Sequence, residues 1–155
     1  MSSQNKKRMA VFFGVAIFFI VLDRFFKSLA MQLNGGETAI FFDWLNFMFV
    51  KNYNIALSLP LSGALVTFLI LCLTLIVVYY CLLFIKKEDV INASSMFLIA
   101  LGAISNLVDR IIYGFVIDYL DVKYFSVLNL ADIMITTGVL LFIIFSFYQN
   151  KKQAF

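Results

Sequence analysis

A polar stretch between two apolar runs, GAISNLVDRIIYGFVIDYLDVKYFSVLNLAD at 102–132, holds four aspartates: Asp109, Asp118, Asp121 and Asp132. Two carboxyl groups held close together cannot both ionise cheaply, so they share a proton. One then acts as a general base on a water molecule, while the other donates a proton to a carbonyl oxygen. Such a pair would hydrolyse a peptide bond without a metal ion or a covalent intermediate.

Residue types exclude some other chemistries and leave one open. The chain has no histidine, which excludes histidine-based nucleophilic triads and the usual zinc sites. Carboxylates could instead hold Mg²⁺ for a phosphate substrate, which usually takes three or more clustered acidic residues. The chain has nine Asp and Glu residues and could supply such a cluster, so spacing alone does not decide between the two chemistries.

Composition places these carboxylates in a membrane protein. Of the 155 residues, 63% are hydrophobic and 14% are charged, whereas roughly half of a soluble domain is apolar. Apolar runs at about 8–31, 59–85, 90–108 and 128–148 each approach the ~20 residues that cross the hydrocarbon core. We predict one polytopic domain, 1–155, in the class of all-α membrane proteins with four transmembrane helices. The aromatic-rich segment 32–58 predicts a small interfacial piece with short strands.

The placement of lysine and arginine predicts the orientation. Seven of the twelve basic residues fall on one side of the predicted membrane: Lys6, Lys7, Arg8, Lys86, Lys87, Lys151 and Lys152. The other five are spread over longer segments on the opposite side. We therefore expect both termini in the cytoplasm, and the 32–58 segment and a catalytic loop at 109–129 on the outer face. The net charge of +3 is scattered, so we expect no nucleic-acid partner.

Polar pairs at the predicted ends of spans one and four have helical spacing. Asp23 and Lys27 are four residues apart, so they share a face at the outer end of the first span. An ion pair that reaches the interface would explain them without a further function. Asn129 and Asp132 open the fourth span, where a helix cap and a first-turn acid are both favoured.

The end of the third span carries a further polar group. Asn106, Asp109 and Arg110 have i, i+3 and i+4 spacing, which places them on one side of a helix. Asp118 has apolar or aromatic neighbours, and this local context supports a functional role and a solvated loop position equally. Asp121 has more exposed surroundings and is expected at the surface. Ionisable groups near the bilayer indicate a functional site by default.

Five short motifs resemble those of the lipoprotein signal peptidases (signal peptidase II), four-span bacterial aspartyl peptidases. In chain order they are DRFFK with Asp23 and Lys27, NYNIALS with Asn52, GAISNLVDR with Asn106, Asp109 and Arg110, GFVIDY with Asp118, and LNLAD with Asn129 and Asp132. Each motif is weak alone, but five in this order on four spans are specific. The resemblance covers nearly the whole chain.

The resemblance implies the roles of these residues. It makes Asp118 and Asp132 the catalytic dyad, with no cofactor. The residues that would shape the site, bind substrate or support it are Asn52, Asn106, Asp109, Arg110, Asn129, Asp23 and Lys27. The implied substrate is a prolipoprotein with a diacylglyceryl cysteine, cut just before that cysteine at the outer interface of the bacterial cytoplasmic membrane. Membrane lipid would be the other partner, and a monomer is expected.

Five positions depart from the family pattern. Phe26 replaces a Thr of the family pattern, and Leu128 replaces a Phe. At three positions a Gly of the pattern is replaced, by Asn54, Ser58 and Ser105. These departures concern local packing and leave both aspartates in place.

Two rival functions remain open at the level of sequence. An ion-coupled membrane carrier would use Asp23, Asp109 and Asp132 as relay groups and predicts carboxylates near the middle of the membrane. A metal-dependent lipid phosphotransferase predicts an acidic cluster and inhibition by EDTA.

Overall fold

The computed structural model describes residues 2–33, 38–41, 44–53 and 63–153. This part of the chain forms four long helices and four short strands. In order they are α1 (Ser3–Gln32), β1 (Thr38–Phe41), β2 (Leu45–Asn52), α2 (Ala64–Lys86), α3 (Val90–Tyr113), β3 (Val116–Val122), β4 (Ser126–Leu128) and α4 (Leu130–Gln153).

All four helices are long and apolar enough to cross a membrane, counting α4 over Leu130–Gln149. The predicted class, four transmembrane helices with a small sheet, is confirmed. Helix α3 is the central one, since 44% of its most apolar 18-residue stretch is buried, against 11–17% in the other three. Helix α2 is apolar on nearly all sides and buries least, as expected of a helix that faces lipid.

The ends of α1 and α3 differ from the ends of the predicted spans, because capping groups determine where these helices begin or end. Helix α1 begins at Ser3 rather than near residue 8, because the Ser2 hydroxyl accepts a hydrogen bond from the Asn5 amide at 3.1 Å. Helix α3 continues to Tyr113 rather than ending near residue 108, and Gly114 closes it in the left-handed conformation at φ 79°. The predicted start of the second span, 59–62, lies outside the described residues.

The segment 109–129, expected as a loop, is mostly regular structure. After the last turn of α3, strands β3 and β4 form an antiparallel hairpin. Strand β2 of the interfacial segment pairs with β3, so the sheet has the order β1-β2-β3-β4. One face of the sheet packs on the end of α1, where Phe47 and Tyr119 surround Phe26 and Ala30. The sheet thereby joins two polar segments that are distant in sequence.

Helices α3 and α4 approach each other closely at two glycines. A Cβ on Gly102 would lie 2.6 Å from the carbonyl oxygen of Ala131. A Cβ on Gly138 would lie 2.6 Å from Cγ1 of Ile99 and 2.8 Å from the carbonyl oxygen of Ser95. Small residues are what allow membrane helices to pack at this distance. The contact at Gly102 also fixes the start of α4, next to Asp132.

We expect Gly102→Ala to lower the free energy of unfolding by about 1–3 kcal/mol, since the new methyl group meets backbone that cannot move aside. Gly14→Ala is the matched control, because a Cβ on Gly14 of α1 has nothing within 4 Å. That change should leave stability unchanged or raise it by up to about 1 kcal/mol. Thermal unfolding in detergent measures both variants, and equal behaviour would contradict the close approach of α3 and α4.

Candidate active site

Asp118 lies in the middle of β3, and both of its carboxylate oxygens are occupied by amide donors. Asn52 of β2 donates to Oδ2 at 2.8 Å, and Asn129 donates to Oδ1 at 2.7 Å. The side chain is 1% exposed. Because successive strand residues point to opposite faces, Tyr119 turns to the face that packs on α1 while Asp118 turns away from it. Strand β3 therefore buries both side chains but directs them to opposite faces of the sheet, Asp118 towards its amide donors and Tyr119 towards α1.

Asp132 occupies the first turn of α4, where it forms a reciprocal cap with Asn129. The Asp132 amide donates to Oδ1 of Asn129 at 2.9 Å, and the Asn129 amide donates to Oδ2 of Asp132 at 3.2 Å. The remaining oxygen, Oδ1, accepts from Nδ2 of Asn106 at 2.8 Å. The capping predicted from sequence is thus present, and it holds the Asp132 carboxylate in one orientation.

Asn129 connects the two aspartates. Its Nδ2 binds Asp118 while its Oδ1 binds the backbone of Asp132, so one buried side chain sets the position of both. Burial raises the pKa of Asp118 from 3.8 to about 6, and the nearby negative charge of Asp132 adds to the shift. The amide donors Asn52 and Asn129 act in the opposite direction. The structure therefore brings together the two residues predicted to form a dyad.

A fully buried ion network lies behind this pair. The Lys27 ammonium is 3.1 Å from Oδ2 of Asp23 and 2.8 Å from Oδ2 of Asp109, and all three side chains are 0% exposed. Arg24 binds the other oxygen of Asp109. Isolated buried charges are unfavourable, so each member of the network depends on the others. The ion pair of Asp23 and Lys27 is thus buried rather than reaching to the interface.

The network extends to the candidate dyad through one asparagine. Lys27 donates to Oδ1 of Asn106 at 2.8 Å, and Nδ2 of Asn106 donates to Asp132. The lysine fixes which end of the Asn106 amide faces Asp132, because an ammonium can only donate. Asp109 also accepts from the Ile117 amide at 3.3 Å, which holds the start of β3.

Two residues of the site were not singled out from the sequence, and one of them, Tyr119, holds the start of α4. The Tyr119 hydroxyl accepts from the Leu130 amide at 3.1 Å and donates to Asp23 at 3.1 Å. Asp23 in turn accepts from the Ala131 amide at 3.2 Å. Burial and the charge of Asp23 raise the pKa of Tyr119 above its usual range. The other unpredicted residue is Arg24, which follows Asp23 directly and was counted only as a charge.

Arg110 and Asp121 occupy different positions from the network. Arg110 is 9% exposed, and its Nη1 donates to the backbone oxygen of Tyr53 at 3.4 Å, beyond the end of β2. Its charge attracts the carboxylates of Asp118 and Asp132. Asp121, expected at the surface, is only partly exposed on β3 and accepts from Asn46 at 3.3 Å.

The departures from the motif pattern have structural explanations where the residues are described. Ser105 adds a hydroxyl that donates to Asp23 at 2.6 Å, so it joins the ion network. Phe26 fills the space between Phe47 and Tyr119, and Leu128 pairs with Leu120 across β3 and β4. The other two, Asn54 and Ser58, lie outside the described residues.

No three Asp, Glu, Cys or His side chains in the described part of the chain are arranged to hold a metal ion. Between Asp23 and Asp109, the space that a cation would take is filled by the Lys27 ammonium. This geometry does not favour the magnesium chemistry that the sequence left open.

Four helices that can span a membrane, with two linked carboxylates where a small sheet meets the bundle, define a multi-pass membrane protein. The family model described as Signal peptidase (SPase) II matches residues 15–148, and the chain belongs to this family. The Lipoprotein signal peptidase of Caldicellulosiruptor bescii is 35% identical over 133 residues, covering 86% of this chain and 83% of that protein. That of Syntrophomonas wolfei is 33% identical over 144 residues, covering 92% and 96%.

Two solved structures, each titled a bacterial membrane enzyme, have the same fold. One superposes with a TM-score of 0.78 at 24% identity, over 92% of this chain and 91% of its own. The other has a TM-score of 0.73 at 25% identity, over 87% and 91%.

Lys27→Met should lower the free energy of unfolding by about 3–5 kcal/mol, because it leaves Asp23 and Asp109 buried without their counter-ion. Lys123→Met is the matched control at an exposed position, where the change should stay within about 1 kcal/mol. Thermal unfolding of both variants in the same detergent provides the measurement. A Lys27→Met protein as stable as the control would show that the network does not support the fold.

Proposed function

We propose that this protein is an aspartyl endopeptidase that removes the signal peptide from diacylglyceryl-modified prolipoproteins, cutting before the lipidated cysteine. The observation that carries the proposal is the double contact of Asn129 with Asp118 and Asp132. Family membership supports the peptidase class, and the relatives' name, Lipoprotein signal peptidase, supports the substrate class. The enzyme works as a monomer and needs no cofactor.

The proposed reaction uses one proton shared by the dyad. The ionised carboxylate removes a proton from a water molecule as its oxygen attacks the scissile carbonyl carbon, and the protonated carboxyl donates its proton to the carbonyl oxygen. The tetrahedral diol then collapses: the carboxyl that took the water proton donates it to the leaving nitrogen, the C–N bond breaks, and one diol hydroxyl returns its proton to the other carboxylate. Which aspartate holds the proton is a property of the coupled pair, not of either residue alone.

The supporting residues fix the orientation of each of the two carboxylates. Asn52 and Asn129 donate to Asp118 and so hold its plane, while Asn106 does the same for Asp132. Lys27 acts through Asn106 and stays out of contact with substrate, because it is fully buried. Arg110, whose charge attracts both aspartates, is the cation suited to bind a carbonyl or ester oxygen of the substrate.

The proposed topology follows from the charge pattern. Both termini face the cytoplasm, and the sheet and the dyad lie at the outer face of the cytoplasmic membrane. A signal peptide is itself a short apolar helix, so it can reach the dyad sideways through lipid. A cut at this surface leaves the acylated cysteine anchored in the bilayer.

The rival functions fit the geometry less well. A carrier would need its carboxylates near the midplane, but Asp109 directly precedes the last turn of α3 and Asp132 lies in the first turn of α4, beside the sheet. A phosphotransferase would need an acidic metal cluster, which the described residues do not form.

Asp118→Asn and Asp132→Asn should each reduce cleavage at least about 10³-fold, because neither amide can carry the dyad's proton. Asp121→Asn is the matched control on the same strand as Asp118 and should retain normal activity. The assay follows signal-peptide release from a diacylglyceryl-modified precursor by purified variants in detergent, and thermal unfolding checks that each variant is folded. Near-normal processing by either dyad variant would disprove the mechanism, and inhibition of the unaltered enzyme by EDTA would favour a metal-dependent one.

The pH profile should be bell-shaped. Because burial and Asp132 raise the pKa of Asp118 to about 6, the dyad loses its shared proton as the pH rises through that value, and kcat/KM falls. In acid both carboxyls are protonated, no general base remains, and the rate falls again. Cleavage rates at low substrate concentration from about pH 4 to 9 measure both limbs. A constant rate across this range would contradict the shared proton.

A further inference from the structure

A groove of about 880 Å³ runs between α1, α3 and α4 on the side of the bundle away from the dyad. On α4 it is lined by Leu130, Met134 and Leu141, which recur at helical spacing along one face. Asp132 lies about 200° around the helix from Leu130, at 100° per residue. The groove is therefore separate from the site at which substrate is cut.

The groove is about as long as the hydrocarbon core of a bilayer is thick. Its lining extends along α4 from Leu130 to Gln149, about 28 Å at 1.5 Å per residue, close to the ~30 Å hydrocarbon core. Phe12 and Phe19 of α1 and Phe145 of α4 line it, so its interior is apolar. A ligand with long hydrocarbon chains fits such a shape.

One end of the groove is polar and carries both signs of charge. Arg8, Glu88 and Asp89 line this end together with Gln149. Glu88 accepts from the Ser2 amide at 3.3 Å, and Asp89 caps α3 and accepts from Gln149 at 3.4 Å. Among the described residues Arg8 has no hydrogen-bond or ion-pair partner. The end therefore offers the Arg8 guanidinium next to the Asp89 carboxylate, whose oxygens have further acceptor capacity.

We propose that this groove binds one phospholipid with a zwitterionic head group that ends in a primary ammonium. The phosphate binds Arg8, the ammonium binds Asp89, and the acyl chains lie along α1 and α4. A purely anionic lipid could bind Arg8 through its phosphate but would offer no cation to Asp89. A choline lipid has no N–H group to donate. Only the ammonium lipid matches both charges and supplies donors.

Ser94 provides a second contact for the same ligand. It lines the groove five residues after Asp89, about 7 Å deeper at 1.5 Å per residue. Its hydroxyl is buried and has no hydrogen-bond partner in the described part of the chain. A rotation about χ1 turns it into the groove, at the depth where the glycerol ester carbonyls of a phospholipid lie beneath the phosphate, and there it donates to an ester carbonyl.

Native mass spectrometry of the full chain, released from nanodiscs with equal ethanolamine, glycerol and choline phospholipids, tests the proposal. We expect one retained lipid per chain, predominantly the ethanolamine lipid. Arg8→Gln should reduce retention about tenfold, the effect of one charge-assisted hydrogen bond. Lys7→Gln is the matched control, since Lys7 is exposed on the same helix but does not line the groove. It should retain lipid like the unaltered chain.

Two further variants separate charge from folding. Asp89→Asn keeps an equally good N-cap for α3 and should abolish the preference for ethanolamine over choline lipid while lipid is still bound. Arg8→Lys keeps the charge and should retain lipid, which guards against misfolding of Arg8→Gln. Equal retention of all three lipids by the unaltered chain, or equal retention by Arg8→Gln and Lys7→Gln, would overturn the proposal. So would a second copy of the chain bound in place of lipid.

Discussion

The ammonium of Lys27, enclosed between Asp23 and Asp109, is the interaction on which the other polar contacts depend. All three groups are fully buried, so none has water to replace a missing partner. The triad joins α1 to α3, and Asp109 continues it to the first residues of β3 through the Ile117 amide. A network of this kind makes little net contribution to stability against an apolar core, but it strongly favours a single arrangement of the helices.

The second constraint is the start of α4, where three successive amides are each held by a different group. Tyr119 accepts from Leu130, Asp23 accepts from Ala131, and Asn129 accepts from Asp132. These acceptors come from β3, from α1 and from the residue that precedes the helix. The first turn of α4 is therefore positioned by the sheet and the bundle together. Because Asp132 belongs to that turn, the same contacts also fix the position of its carboxylate.

Much of this was accessible from the sequence. Hydrophobic run lengths predicted four spanning helices, and the motif order predicted which polar residues would meet. The helix ends were less predictable, because Ser2 and Gly114 set them through local capping rather than through hydropathy. The β3–β4 hairpin was missed, because the first four residues of β3 are all buried, so no alternation marks the strand, and its partner β2 is distant in sequence.

Within the site, the residues with motif spacing were found and those without it were not. Asn106, Asp109 and Asp132 share helical spacing with another polar residue, so a period of three or four identified them. Tyr119 reaches α4 from a strand, and its hydroxyl contacts Leu130 and Asp23 through tertiary structure alone. Ser105 appeared in sequence as a departure, and only its contact with Asp23 gives it a role.

The close contact between Gly102 and Ala131 has a consequence for how the protein meets its solvent. Ala131 directly precedes Asp132, so the contact of Ala131 with α3 sets the position of the Asp132 carboxylate along the bundle axis. The surrounding lipid does not set this position. A membrane that thickens or thins is accommodated by tilt of the whole bundle or by the outer, lipid-facing helix α2. The relative position of Asp118 and Asp132 is thus independent of bilayer thickness.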